Sequence, residues 1–262
     1  IGIMLDGTGY GTDGHIWGGE VLVGDYTDVK RFAHLEYVPM PGGDKAIQEP
    51  WRMGLAYLRH TFWDEYAEHL PAAWNEFPAQ QVGDMLKKEI NSPLTSSCGR
   101  LFDGISALAG GRTQISFEGQ AAIEFQHAME HESEDPLDFA LEKVGEHYEI
   151  LIRPIISCTI MAMQNGKSFG QVSAMFHKML VDLFTHVAEE ARKQTGISTV
   201  ALSGGVFQNS YLFEHLARKL KSQGFLVLTH SKVPANDGGI SFGQVTVAQS
   251  LLEKNMQKVN YL

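Results

Sequence analysis

The stretch VALSGGVFQNSYL, residues 200–212, constrains the fold more tightly than any other part of the chain. A short apolar strand runs into Ser203, Gly204 and Gly205, and an amphipathic period starts at Asn209, a residue type that caps helices through its side-chain oxygen. A strand that ends in paired glycines and turns into a helix points to an α/β fold, where ligands sit at strand carboxyl ends. The neighbouring residues repeat the alternation. Residues 168–194 read as a long helix with Ser168 as its N-cap and Gly196 as its stop. After the glycine turn come the helix NSYLFEHLARKLKSQ, the strand FLVLTH and, beyond VPANDGGISFG, a last helix QVTVAQSLLEK.

The N-terminal part has a different rhythm. IGIML, residues 1–5, reads as a buried strand ending at the loop DGTGYGTDG, and residues 16–40 alternate as two further strands around a turn near Asp25. From residue 44 the period lengthens to that of a helix, interrupted at Pro50, and residues 64–165 read as mainly helical, broken by prolines. We therefore expect a β-rich segment over 1–43, a helical region over 44–165 and an α/β unit over 166–262. The chain starts at Ile1, inside a strand, and is expected to be an N-terminally truncated part of a longer polypeptide.

Composition excludes some classes of function. The 262 residues carry 31 acidic against 21 basic side chains, a net charge of −10, so most of the surface repels a phosphate backbone and nucleic acid is not an expected partner. No apolar run is long enough to span a bilayer. Cys98 and Cys158 form no CxxC motif, and a chain of this size with two cysteines does not depend on disulfides, which fits the cytoplasm.

Three glycine clusters could touch a ligand: DGTGYG, SGGVFQN and NDGG. Each alone is an ordinary turn signal. Together they suit a nucleotide held between two parts of one chain, because glycine lets backbone N–H groups approach phosphate, and the helix after SGGVFQN directs its positive end there. A P-loop is excluded, since Gly166-Lys167-Ser168 would need glycine at 161, where Met161 stands. The dinucleotide fingerprint is excluded because a hairpin follows GTGYGTDG. His127 and His131 have a helical metal-ligand spacing, but Glu130 and Glu132 beside them favour a solvated face. Cys98 reads as a packing residue, and His177 and His186 as helix surface or satisfied core. Lys45 and Arg52 after the PGG turn are either anion contacts or surface charges.

The motifs DGTGYGTDGHIWGGE, PGGDKAIQEPWR, TSSCGRLFDGISAL, SFEGQAAIE, SGGVFQNSYL and NDGGISFGQ occur in the order found in the HypF hydrogenase-maturation carbamoyltransferases, which the chain resembles over nearly its whole length. The resemblance implies the two-lobed, ribonuclease H-like fold shared with actin, sugar kinases and Hsp70-type chaperones. It implies transfer of a carbamoyl group from carbamoyl adenylate, made from ATP and carbamoyl phosphate in an adjacent YrdC-like domain, to the C-terminal cysteine of HypE. The thiocarboxamide becomes the cyanide ligand of nickel–iron hydrogenases. By motif, Asp6, Gly7, Thr8 and Gly9 would line the phosphate side, with Gly204, Gly205 and Asn209 opposite. Asp103 would meet the ribose hydroxyls, Gly119 and Glu124 the nucleoside, and Asp237 a divalent metal, zinc or iron.

One departure is expected to matter. The family's metal-binding histidines belong to a motif upstream of the first strand, before Ile1, and His127 and His131 do not replace them. Two other readings stay open. One is a tRNA threonylcarbamoyl transferase, which the acidic balance and the GTGYGTDG loop disfavour. The other is a module that binds nucleotide or docks HypE without turnover.

Overall fold

The computed structural model describes residues 1–130 and 135–259, with side chains to residue 255. It opens with β1 (Gly2–Tyr10), β2 (Ile16–Gly24), β3 (Val29–Leu35) and a short β4 (Val38–Pro39). Two helices follow, α1 (Lys45–Gln48) and α2 (Trp51–Phe62), separated at Pro50 as its ring geometry requires. Beyond two 3-10 turns lie α3 (Ala79–Lys87), β5 (Leu94–Thr95), α4 (Cys98–Leu108) and α5 (Gln120–His127). A hairpin, β6 (Leu141–Val144) and β7 (His147–Ile150), precedes α6 (Ile152–Gln164) and the 27-residue α7 (Phe169–Thr195). The chain continues through β8 (Thr199–Ser203), α8 (Ser210–Ser222), β9 (Leu226–Leu228) and α9 (Ile240–Val259).

The fold is α/β, built on one mixed sheet in the order β6-β7-β3-β2-β1-β8-β9, with β5 bridging β2 and β4. β1, β2 and β3 form an antiparallel meander, and β8 and β9 extend it in parallel from the edge of β1. The glycine turn at the end of β8 therefore lies beside the middle of β1. On β1, Ile3 and Leu5 are fully buried while Met4 between them is half-buried. That alternation means helices cover one face of the sheet and the other is partly open. α4 packs on β1 and β2 on the covered face with α2 against it, and the Phe176 ring of α7 meets Phe102 of α4 and Phe125 of α5.

Local signals account for the helix boundaries. Ser168 caps α7 in a reciprocal capping box with Gln171, and Gly196 ends it in a left-handed conformation at φ 75°. Asn209 caps α8 by accepting from the Leu212 N–H at 3.0 Å. Two expectations need correction. The middle region, expected as mainly helical, also contains strands, because the β6–β7 hairpin turns at Gly145 (φ 60°) and adds two strands to the sheet. The run DGTGYG is not a loop either, since β1 continues through it as far as Tyr10.

Candidate active site

The glycine run of β1 is a bulge. Leu5 pairs with Gly19 and Gly9 with Trp17, so Asp6, Gly7 and Thr8 together face Gly18 alone. Gly18 is needed there, because a Cβ on it would lie 2.5 Å from the Asp6 carbonyl oxygen. Across the sheet, Gly204 (φ 107°) presses its Cα side against β1, where an added Cβ would come within 2.0 Å of the Leu5 oxygen. Gly204 thus serves strand-to-strand packing. Gly205 is different, since its Cβ would meet only Asp6 Oδ1 at 3.2 Å and Gln208 Nε2 at 3.6 Å.

Below the bulge lies a cavity of about 690 Å³. α4 forms its floor. Ser97 caps this helix, accepting from the Arg100 N–H at 3.1 Å and donating to the Gly7 carbonyl at 2.6 Å, so the first turn of α4 is fixed to the bulge. One turn further on, Arg100 Nε and Nη2 both donate to Asp103 Oδ2 at 2.8 Å, with the two side chains 3% and 1% exposed. Burial outweighs this pairing and pushes the Asp103 carboxyl up to about 6. Arg100 Nη1 and Asp103 Oδ1 are buried without a hydrogen-bond partner. An arginine and an aspartate side by side on a cavity floor offer the donors and acceptors that a ligand bearing both phosphate and hydroxyl groups would use. Glu118 and Gly119, the latter in a left-handed conformation at the start of α5, close one side.

The opposite wall is the turn Gly205–Asn209. Asn209 is fixed twice, by its cap on α8 and by Nδ2 at 2.8 Å from His177 Nε2. His177 is fully buried, and its Nδ1 donates to the Ser173 carbonyl at 2.7 Å, which leaves Nε2 to accept from Asn209. Burial lowers the pKa of this imidazole to about 4. The positive end of α8, a 13-residue helix, faces the cavity through this wall.

A second cavity of about 370 Å³ adjoins the first, with Asp6, Asn236 and Asp237 lining both. Trp17, Glu20 and Ser203 border it, and His230 Nε2 lies 2.9 Å from Ser203 Oγ. Asp237 is exposed at the start of the 3-10 turn before α9. Among the described residues no set of three His, Cys, Asp or Glu donors close enough to share an ion includes it. The residues present do not make a metal centre at Asp237, and we derive no step through one.

The profile of the family described as "Carbamoyltransferase, Kae1-like Domain, second subdomain" matches residues 2–244. The chain belongs to this carbamoyltransferase family. It is 36% identical over 274 residues to the carbamoyltransferase HypF2 of Cupriavidus necator, covering 95% of this chain and 33% of that protein. It is 38% identical over 255 residues to the carbamoyltransferase HypF of Rhodobacter capsulatus, covering 97% and 32%. A crystal structure of full-length HypF in a phosphate- and nucleotide-bound form superposes with a TM-score of 0.88 at 40% identity, over 97% of this chain and 33% of that one. The chain thus spans about a third of the length of these relatives.

Of the residues singled out by the HypF motifs, Asp6, Gly7, Asp103, Gly119, Gly205, Asn209 and Asp237 line the larger cavity. Gly9 and Gly204 line the smaller one. Thr8 is exposed and lines neither. Glu124 turns outward, taking the Arg112 Nε on both its oxygens at 2.8 Å. Lys45 and Arg52 gather around Glu49, away from both cavities. His127 is exposed at the end of α5, and His131 lies outside the described residues. Cys98 is fully buried, and burial pushes its thiol up, as suits a packing residue. Sequence reading passed over Arg100, although its spacing of three from Asp103 on an amphipathic helix was the available signal. It also passed over the Ser203–His230 pair, whose members are 27 residues apart and announce themselves by no motif.

Proposed function

We propose that this chain is the carbamoyl-transfer portion of a hydrogenase-maturation enzyme, with carbamoyl adenylate held in the larger cavity and the thiol of the HypE C-terminal cysteine as acceptor. The observation that carries this reading is the buried Arg100–Asp103 pair on the floor of a cavity of about 690 Å³ whose opposite wall is the turn Gly205–Asn209. The nucleotide named for the solved HypF structure supports it by analogy. Asp103 would accept from ribose hydroxyls, and Arg100 would donate to an adenylate oxygen.

The reaction is acyl transfer from a mixed anhydride. Sulfur bonds to the carbamoyl carbon, the bond from that carbon to phosphate oxygen breaks, and AMP leaves with the electron pair. AMP is a good leaving group, so the protein mainly orients the anhydride toward sulfur. The amides of the Gly205–Asn209 turn and the α8 N-terminus stabilise charge growing on the departing phosphate. His230, which borders the adjoining cavity beside Ser203, would accept the thiol proton. The wider assignments rest on the family: the two-lobed actin-like architecture, the YrdC-like source of the adenylate, a divalent metal completed by residues outside those described, and cytoplasmic location. No helix among the described residues is long and apolar enough to cross a membrane.

The test supplies the full-length parent protein with ATP, carbamoyl phosphate and HypE, and weighs HypE by mass spectrometry. HypE gains one carbamoyl group with the unaltered protein and none with Asp103→Asn. Normal transfer by that variant overturns the assignment of the cavity.

A further inference from the structure

A row of cross-strand partners runs over the partly open face of the sheet. Ser203 on β8 pairs with Met4, Met4 with Glu20, Glu20 with His34, His34 with Glu149, and Glu149 with Glu142. Ser203, Met4 and Glu20 border the smaller cavity, and the row continues past it to the β3–β7 junction. There, side chains two apart on β7 share a face, so His147 joins Glu149 beside His34. The His34 and His147 rings stack with centroids 5.0 Å apart, and His147 Nε2 lies 3.8 Å from Glu149 Oε1. One donor atom from each of the three residues lies within 4.8 Å of the other two.

We infer that His34, His147 and Glu149 form a binding site for a divalent transition-metal ion that clips the β6–β7 hairpin to β3. The donor chemistry is that of zinc and its first-row neighbours, two imidazoles and one carboxylate with a fourth position open to water. A tetrahedral ion about 2.0–2.1 Å from each donor sets them about 3.4 Å apart, so small side-chain rotations close the present set. The second shell is partly built. His34 Nδ1 donates to the Leu35 carbonyl at 2.8 Å, which fixes the tautomer and leaves the lone pair on Nε2 for a metal. His34 as a whole is 2% exposed.

The surrounding charge suits a cation. Arg31 is the positive group nearest His34 on its own strand, and it is held by Glu20 at 2.8 Å and Asp13 at 3.2 Å. Tyr37 packs against His34 at 5.2 Å between ring centroids and hydrogen-bonds Asp13 and Arg31. From β6, Glu142 adds a second carboxylate next to Glu149. His34 pairs with Glu20 at the border of the smaller cavity, but none of His34, His147 and Glu149 lines either cavity, so the site is separate from the one assigned to the nucleotide.

Calorimetric titration of the chain with Zn²⁺ tests the site, using His147→Ala and Glu149→Gln, both at half-exposed positions where the fold tolerates change. Asp237→Asn serves as the control. Zn²⁺ should bind once per chain and raise the melting temperature, and each β7 variant should lose more than about tenfold in affinity together with that thermal shift, since outer-shell changes alone cost that much. Asp237→Asn should bind as the unaltered chain does. Absence of Zn²⁺ binding, loss of it in Asp237→Asn, or unchanged binding in both β7 variants would overturn the proposal.

Discussion

Replacing Arg100 by methionine keeps the aliphatic bulk on α4 and strips the Asp103 carboxylate of its charged partner. The two side chains are 3% and 1% exposed, so water cannot substitute for the guanidinium. Removing one member of a buried pair costs about 3–5 kcal/mol when the other stays ionised. Asp103 has a second outcome available, because its carboxyl already stands at about 6 rather than 3.8 and rises further without Arg100. A carboxyl whose folded pKa is raised contributes stability below its unfolded pKa and loses it as pH rises through the folded value. At about 1.4 kcal/mol per pH unit, the shift already present corresponds to about 3 kcal/mol lost between pH 4 and pH 6. Arg100→Met therefore costs about 3–5 kcal/mol at pH 8, and about 1 kcal/mol at pH 5, where Asp103 is protonated and only a neutral hydrogen bond is missing. Urea unfolding of both proteins at each pH measures this, and groups that titrate alike in both cancel in the difference. A penalty that stays below 1 kcal/mol and does not change with pH would refute the coupling of Arg100 to Asp103.

Other consequences follow from neighbouring geometry. Gly204→Ala forces a Cβ against the Leu5 oxygen at a left-handed φ and should unfold the chain or cost several kcal/mol in thermal melts, whereas Gly205→Ala should cost under about 1 kcal/mol yet weaken nucleotide binding. His177, with its pKa lowered to about 4 in the fold, supports stability above pH 6.5 that is lost as pH falls toward 4. Stability against pH should therefore drop about 3 kcal/mol more for the unaltered chain than for His177→Gln over that window, and parallel curves would remove the imidazole from the account. In the full-length protein, His230→Gln should lower transfer to HypE below pH 8 and recover part of it at higher pH, where the thiol ionises without help. A uniform loss at all pH values would mean that His230 shapes the cavity and does not take the proton.

The sequence showed the elements whose cause is local. Ser168, Gly196 and Asn209 mark helix ends because their side chains or backbone freedom act within a few residues, and they stand where expected. The β6–β7 hairpin was hidden because its strands are four residues each and β6 is largely exposed, leaving almost no alternation to read. The bulge in β1 was equally hidden, because its cause is non-local: Gly18 faces three residues at once. In the cavity, glycines and carboxylates of known motifs were legible, but the arginine that partners Asp103 was not, since pairing depends on which face of α4 the core takes. Glu124, Lys45 and Arg52 show the converse, polar residues in motifs that spend their charge on local partners. The glycine pair divides the same way, with Gly204 explained by packing against β1 and Gly205 by the cavity.

Calorimetric titration of the chain with AMP tests most directly whether a nucleotide occupies the cavity between α4 and the Gly205–Asn209 turn. We expect a single site, weakened at least about tenfold in Asp103→Asn, a loss of about 1.4 kcal/mol consistent with one charged hydrogen bond. Absence of binding to the unaltered chain, or equal binding to a folded Asp103→Asn variant, would contradict it.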